Sequence, residues 1–104
     1  MLAYIHEHYM MHISTKDLAE QVNVSESECL RCFKEVLETT PMQYVKKYRL
    51  QVAADLLAST SLTVTGVAGR CGFEHMSYFA KSFEQMFGTT PREYRKRVEN
   101  STAM

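Results

Sequence analysis

Displaced by 50 residues, the chain lays Phe33 on Phe83, Thr39-Thr40-Pro41 on Thr89-Thr90-Pro91 and Tyr44 on Tyr94. Displaced by 49, it lays Leu18-Ala19 on Val67-Ala68 and Val24 on Phe73, so the second copy carries one extra residue in its turn. A self-similarity of this period marks a duplicated supersecondary unit. Each copy has only about half of the chain from which to build a core, so the units are small and must use every apolar residue well.

The local signals define what is duplicated. Leu2, Ile5, Tyr9 and Met10 recur at helical spacing and predict a first amphipathic helix over residues 2–11. Ser14 followed by Asp17 is a capping box that opens a short helix through Leu18, Ala19 and Val22, ended by Asn23. A second box, Ser25 with Glu28, opens a helix that runs to about Leu37. Thr40-Pro41 is a third start, since proline at the first helical position loses no hydrogen bond. No breaker follows until Ser59, which predicts a rod roughly 30 Å long with Val45, Tyr48, Val52, Ala53, Leu56 and Leu57 as its apolar stripe. The pattern then repeats: a short helix through Val64, Val67 and Ala68 that stops at Gly72, a helix from His75 to Phe87 halted by Gly88, and a last helix opened by Thr90-Pro91. The fold class is therefore all-α, with seven helices in two helix-turn-helix subdomains joined by a long linker helix. Residues 1–40 form the first subdomain, 41–59 the linker, 60–99 the second, and 100–104 a frayed tail.

Helical periodicity assigns the faces of the second helix in each copy. Cys29, Cys32, Phe33, Val36 and Leu37 point inward in the first, and Phe79, Phe83, Met86 and Phe87 in the second. The remaining stripe is presented to the outside: Ser27, Leu30, Arg31 and Lys34 in one copy, Met76, Ser77, Ala80, Lys81 and Glu84 in the other. Arg31 and Lys81 are equivalent, each one turn in from the helix start, where a major-groove probe reaches base edges. A lone cation there would be read as a solvated charge; a matched pair in both copies puts base contact on an equal footing with that reading.

Charge is distributed unevenly. Lysine plus arginine and aspartate plus glutamate number 12 each, so the formal charge is zero, which is unusual for a nucleic-acid-binding domain. Residues 1–45 hold three bases against seven acids and residues 46–104 hold nine against five, so the net −4 and +4 of the halves place any basic face in the C-terminal one. Lys46, Lys47 and Arg49 form one basic cluster, and Arg92, Arg95, Lys96 and Arg97 another, suited to neutralising phosphates or to a solvated face. Arg49, between Tyr48 and Leu50, is also a candidate for an internal ion pair, and His75 for a phosphate or base contact.

Other chemistries find little support. Three cysteines cannot close a disulfide framework, and Cys29 and Cys32 lack a second pair to complete a four-ligand zinc site, so they read as small buried hydrophobes. His8 and His12 share a spacing that suits a metal, but no carboxylate completes a motif such as HExxH. There is no glycine-rich phosphate loop and no inward carboxylate pair, so neither an enzyme nor a cofactor is expected. No stretch is apolar enough to span a bilayer and no secretory layout opens the chain, which implies a cytoplasmic protein without membrane contact.

These residues resemble the DNA-binding domain of the AraC/XylS family of bacterial transcription regulators, over roughly Tyr4 to Val98. The carriers are Leu18-Ala19, Val24-Ser25, Arg31-Cys32-Phe33-Lys34, Thr40-Pro41 with Tyr44, Leu56-Leu57, Gly72-Phe73 with Ser77-Tyr78-Phe79, Phe83, Phe87-Gly88 and Thr90-Pro91-Arg92-Glu93-Tyr94-Arg95. The resemblance implies double-stranded DNA as the partner, with RNA polymerase as a second one. It places Ser27, Leu30, Arg31, Met76, Ser77, Ala80 and Lys81 at base-reading positions, with Lys34 nearer phosphate; Lys46, Lys47, Arg92 and Lys96 of the basic clusters, and His75, complete the expected phosphate contacts. Glu38 departs from it, standing where the family has a helix-ending glycine, and Leu30 and Met76 replace polar readers. The resemblance further implies an effector-sensing domain outside these residues, and leaves the chain as either a stand-alone small regulator or an excised fragment, the fragment being the favoured reading.

A rod of roughly 30 Å would set two probes about one DNA turn, ~34 Å, apart, and a shorter separation would bend the duplex at about 1–6 kcal/mol. The rival expectation is a helical protein-interaction module, in which the acidic first copy docks a partner such as RNA polymerase.

Overall fold

A computed structural model describes residues 2–102. Seven helices follow one another: α1 (Leu2–His8), α2 (Thr15–Gln21), α3 (Glu26–Leu37), α4 (Pro41–Ser59), α5 (Val64–Arg70), α6 (Met76–Phe87) and α7 (Pro91–Thr102). Among the described residues there is no strand. The chain forms two compact units that divide between Tyr48 and Arg49, inside α4. The helix read as a linker is thus shared: Val45 lies in the first core, and Leu50, Ala53, Ala54 and Leu57 lie in the second. Leu50 was absent from the expected stripe of α4, because no single periodic face serves two cores.

The helices start where their caps dictate. The Ser14 N–H donates to the Asp17 carboxylate at 2.9 Å while the Asp17 N–H donates to the Ser14 hydroxyl at 3.1 Å. These bonds hold the Asp17 carboxyl below its usual range. At α3 only half of the expected box forms: the Glu28 N–H donates to Ser25 Oγ, but the Glu28 carboxylate accepts the Ser25 hydroxyl instead of its backbone N–H. α4 and α7 start identically. Gln43 and Glu93 each donate a backbone N–H to the threonine three residues earlier, both at 3.2 Å, and each accepts at its side chain from the preceding Thr39 or Thr89.

The turns repeat as faithfully. Val24 donates to the Ala19 carbonyl at 3.0 Å and Phe73 to that of Ala68 at 2.9 Å, while Asn23 and Gly72 both take positive φ, 58° and 93°. α3 and α6 also end alike, on Glu38 (φ 57°) and Gly88 (φ 74°), each sending its N–H back to the carbonyl four residues earlier. Glutamate therefore occupies a left-handed conformation that costs an L-residue about 1–2 kcal/mol.

Three expectations change. α1 ends at His8 rather than residue 11, because the His8 ring bonds the Tyr4 carbonyl at 3.0 Å and stacks on the Tyr4 ring, closing the last turn with a side chain. α7 continues through Asn100 to Thr102, where a frayed tail was expected, since no breaker follows Val98; the rest of that tail, 103–104, lies outside the described residues. On α3 only Cys29 and Phe33 are buried, whereas Cys32 is exposed, Val36 is 71% exposed and Leu37 37%. α2 has seven residues and is about 10 Å long, too short to cover the C-terminal turns of α3.

The first core gathers Ile5, Ile13, Leu18, Ala19, Cys29, Phe33 and Val45. The second is larger and more aromatic. Phe79 packs on Phe73 (4.9 Å between centroids) and Phe83 (5.8 Å), and Phe83 meets Phe87 (4.5 Å) and Tyr94 (5.5 Å). Phe79 and Phe83 are fully buried, and truncating either to alanine would cost about 3–5 kcal/mol.

Candidate nucleic-acid interface

The buried anchors Cys29 and Phe33 fix how α3 is turned, and helical spacing then leaves Ser27, Leu30, Arg31 and Lys34 exposed along the opposite face. In the second unit Phe79 and Phe83 do the same for α6, and Met76, Ser77, Lys81 and Glu84 are exposed. Ala80, expected on this stripe, is half-buried, so it offers a methyl group at the edge of the stripe rather than at its crest. Arg31 and Lys81 are both exposed, each five residues past the first residue of its helix. They share one position on two copies of one scaffold.

The residues expected at phosphates divide more unevenly. Lys34, Lys47, Arg92 and Lys96 are exposed, and Lys46 is half-buried with its own interactions. His75 is exposed as the N-cap of α6, and its ring makes no capping hydrogen bond, so the imidazole stays available at the mouth of the helix. Arg95 leaves the basic cluster altogether. Its Nε donates to the Leu57 carbonyl at 3.1 Å and its second guanidinium nitrogen to the Thr60 carbonyl at 3.3 Å, which satisfies the C-terminal end of α4. A sequence run of cations could not separate this arginine from its exposed neighbours, because the carbonyls it satisfies lie 38 and 35 residues away.

Arg49 is half-buried, and burial lowers its pKa against the opposing influence of Cys71, Tyr78 and Glu74. Burial also pushes the Cys29 thiol up, helped by the nearby Cys32, and raises Cys71 to about 11. Such thiols stay protonated and unreactive. Cys32 was expected inward beside them and is instead exposed on α3, a signal that periodicity alone could not supply. Among the described residues no group of three or more His, Cys, Asp and Glu is placed to hold a metal, and no helix is long and apolar enough to cross a membrane.

Comparison with known proteins follows this geometry. A family model described as a helix-turn-helix domain matches residues 18–97. An uncharacterized HTH-type transcriptional regulator, YdeC of Bacillus subtilis, is 42% identical over 96 residues, which is 92% of this chain and 33% of that protein. The HTH-type transcriptional activator RhaR of Mannheimia succiniciproducens is 41% identical over 81 residues, 78% of this chain and 29% of its own length. The chain thus spans about a third of the curated relatives it matches. Among solved structures, an AraC-type transcriptional regulator from Chromobacterium violaceum superposes with a TM-score of 0.89 at 32% identity, covering 93% of this chain and 87% of that one. The DNA-binding domain of AdpA, solved in complex with a target DNA, superposes with a TM-score of 0.92 at 27% identity, covering 96% and 90%.

Proposed function

The chain belongs to the AraC-type helix-turn-helix family as a sequence-specific DNA-binding domain of a transcription regulator, and from that premise we propose how it reads its site. α3 and α6 are the recognition helices, inserted into successive major-groove segments of one duplex. Arg31 and Lys81 donate to base edges; Ser27, Leu30, Met76, Ser77 and Ala80 flank them and set shape and methyl contacts. Lys34, Lys46, Lys47, His75, Arg92 and Lys96 neutralise phosphates and hold the register. The observation that carries this reading is the matched exposure of Arg31 and Lys81 on duplicated scaffolds.

The same proposal makes the protein an activator of bacterial transcription that works in the cytoplasm, where the chromosome lies. RNA polymerase is its protein partner, and effector control resides in a domain outside these residues. The test is selection of binding sites from random DNA by the wild type, Arg31→Ala and Lys81→Ala. Each variant should lose preference at its own base position, and equal loss on all sequences would remove base reading from the proposal.

A further inference from the structure

The duplication makes the two units controls for each other. The offsets of 49 and 50 pair Val22 with Cys71, Val24 with Phe73, Cys29 with Phe79, Cys32 with Ser82 and Val36 with Met86. In the second unit every member of this set is buried or half-buried: Cys71, Phe73 and Phe79 share a cluster with Leu50, Ala53, Ala54 and Leu57 of α4, and Met86 packs against it. In the first unit Val22 is 40% exposed, Val36 71%, and Cys32 is exposed. α1 contributes Ile5 to the core of the first unit. Between α2 and α3 lies an open depression of about 260 Å³ lined by Val22, Val24, Cys29, Cys32 and Val36, with Glu28, Arg31 and Glu35 also on its wall.

What covers the equivalent face in the second unit indicates what fits here. The cover is a helix, it brings apolar side chains, and it carries a cation, the half-buried Arg49, in the neighbourhood of Cys71, Tyr78 and Glu74. The first-unit counterparts of Tyr78 and Gln85 are Glu28 and Glu35, and residues 1–45 carry a net −4, so the uncovered face asks for more positive charge than its twin does. Helical spacing also sets Glu28, Cys32, Glu35 and Val36 on the flank of α3 next to the Ser27, Leu30, Arg31 and Lys34 stripe assigned to DNA, with Arg31 on the border of the two. We propose that this flank is a docking surface for a basic amphipathic helix of a partner protein, which lays apolar side chains over Val22, Cys32 and Val36 and sets a lysine or arginine against Glu28 and Glu35.

Cys32 supplies the readout. Its alkylation by iodoacetamide is followed on the whole chain, without DNA, in the presence of an amphipathic leucine–lysine helical peptide or its leucine–glutamate counterpart. A ligand at about ten times its Kd leaves its site open roughly one-tenth of the time, so the leucine–lysine peptide should slow alkylation about tenfold. Amide resonances of Val22, Val24 and Val36 should shift with the same titration. Val36→Asp and the double variant Glu28→Lys/Glu35→Lys should both lose the protection; Val36→Asp changes an exposed side chain and should keep the wild-type melting curve, whereas Glu28→Lys also removes the acceptor of the Ser25 hydroxyl and should lower it slightly. Absence of protection, equal protection by the leucine–glutamate peptide, or protection retained in the double variant would each overturn the proposal.

Discussion

Arg95 of α7 holds the last turn of α4 through a 3.1 Å hydrogen bond from its Nε to the carbonyl oxygen of Leu57. A second bond, to the Thr60 carbonyl, makes the guanidinium a two-point cap for a helix end where the Ser59 and Thr60 hydroxyls and the Thr60 N–H satisfy the Asp55 and Leu56 carbonyls. Arg95→Ala should destabilise the protein by about 1–3 kcal/mol, because it leaves partly buried carbonyls without a donor. Arg95→Lys should recover only part of this, since an ammonium is a point donor without the fork. Urea unfolding of both variants measures it, and equal stability of Ala and wild type would show that water replaces the cap.

The left-handed residue that ends α3 is a glutamate, and the one that ends α6 is a glycine. Glu38→Gly removes a cost of about 1–2 kcal/mol and adds an unfolded-state entropy of about 0.5–1, for a net stabilisation near ~1 kcal/mol. Gly88→Ala should destabilise by a similar amount although no atom lies within 4 Å of the added Cβ, because φ is +74° there. Thermal melts of the two variants should move in opposite directions.

Base reading and phosphate contact have different signatures. Arg31→Ala should cost about 1–3 kcal/mol on the preferred operator and relax one base position. Lys96→Ala should weaken all sequences alike and reduce the slope of log K against log salt by about 0.9. Fluorescence anisotropy titrations at several salt concentrations separate the two.

Cys71 is fully buried and its thiol is raised from 9.0 to about 11. The unfolded thiol loses its proton first, so the folded state's advantage is intact below pH 9 and drains away as pH climbs through about 11. Wild type should therefore lose stability in that window faster than Cys71→Ala. Parallel stability profiles of the two would show that the native thiol ionises as easily as a free one.

How much of this was legible in the sequence depends on the range of the forces involved. Caps act within four residues, so Ser14 with Asp17, Thr40 with Gln43 and Thr90 with Glu93 announced three helix starts, and Asn23, Gly72 and Gly88 three stops. Periodicity placed Arg31 and Lys81 outside, and Phe33 and Phe83 inside. It failed for Cys32 and Val36 because an angle around a helix says nothing of how far the neighbouring helix reaches. It failed for Arg95 because charge type does not reveal a carbonyl partner on another helix. The end of α1 was missed for a smaller reason: the His8 ring, which was weighed as a metal ligand, closes the turn on Tyr4.

The sharing of α4 between two cores should be visible to mutation without any structure. A saturation scan along it would find an intolerant site at Val45, a permissive stretch at the exposed Lys47, and then intolerance resuming at Leu50, Ala53, Ala54 and Leu57 in a different phase. One continuous rod would behave genetically as two half-words, with the seam at Tyr48 and Arg49.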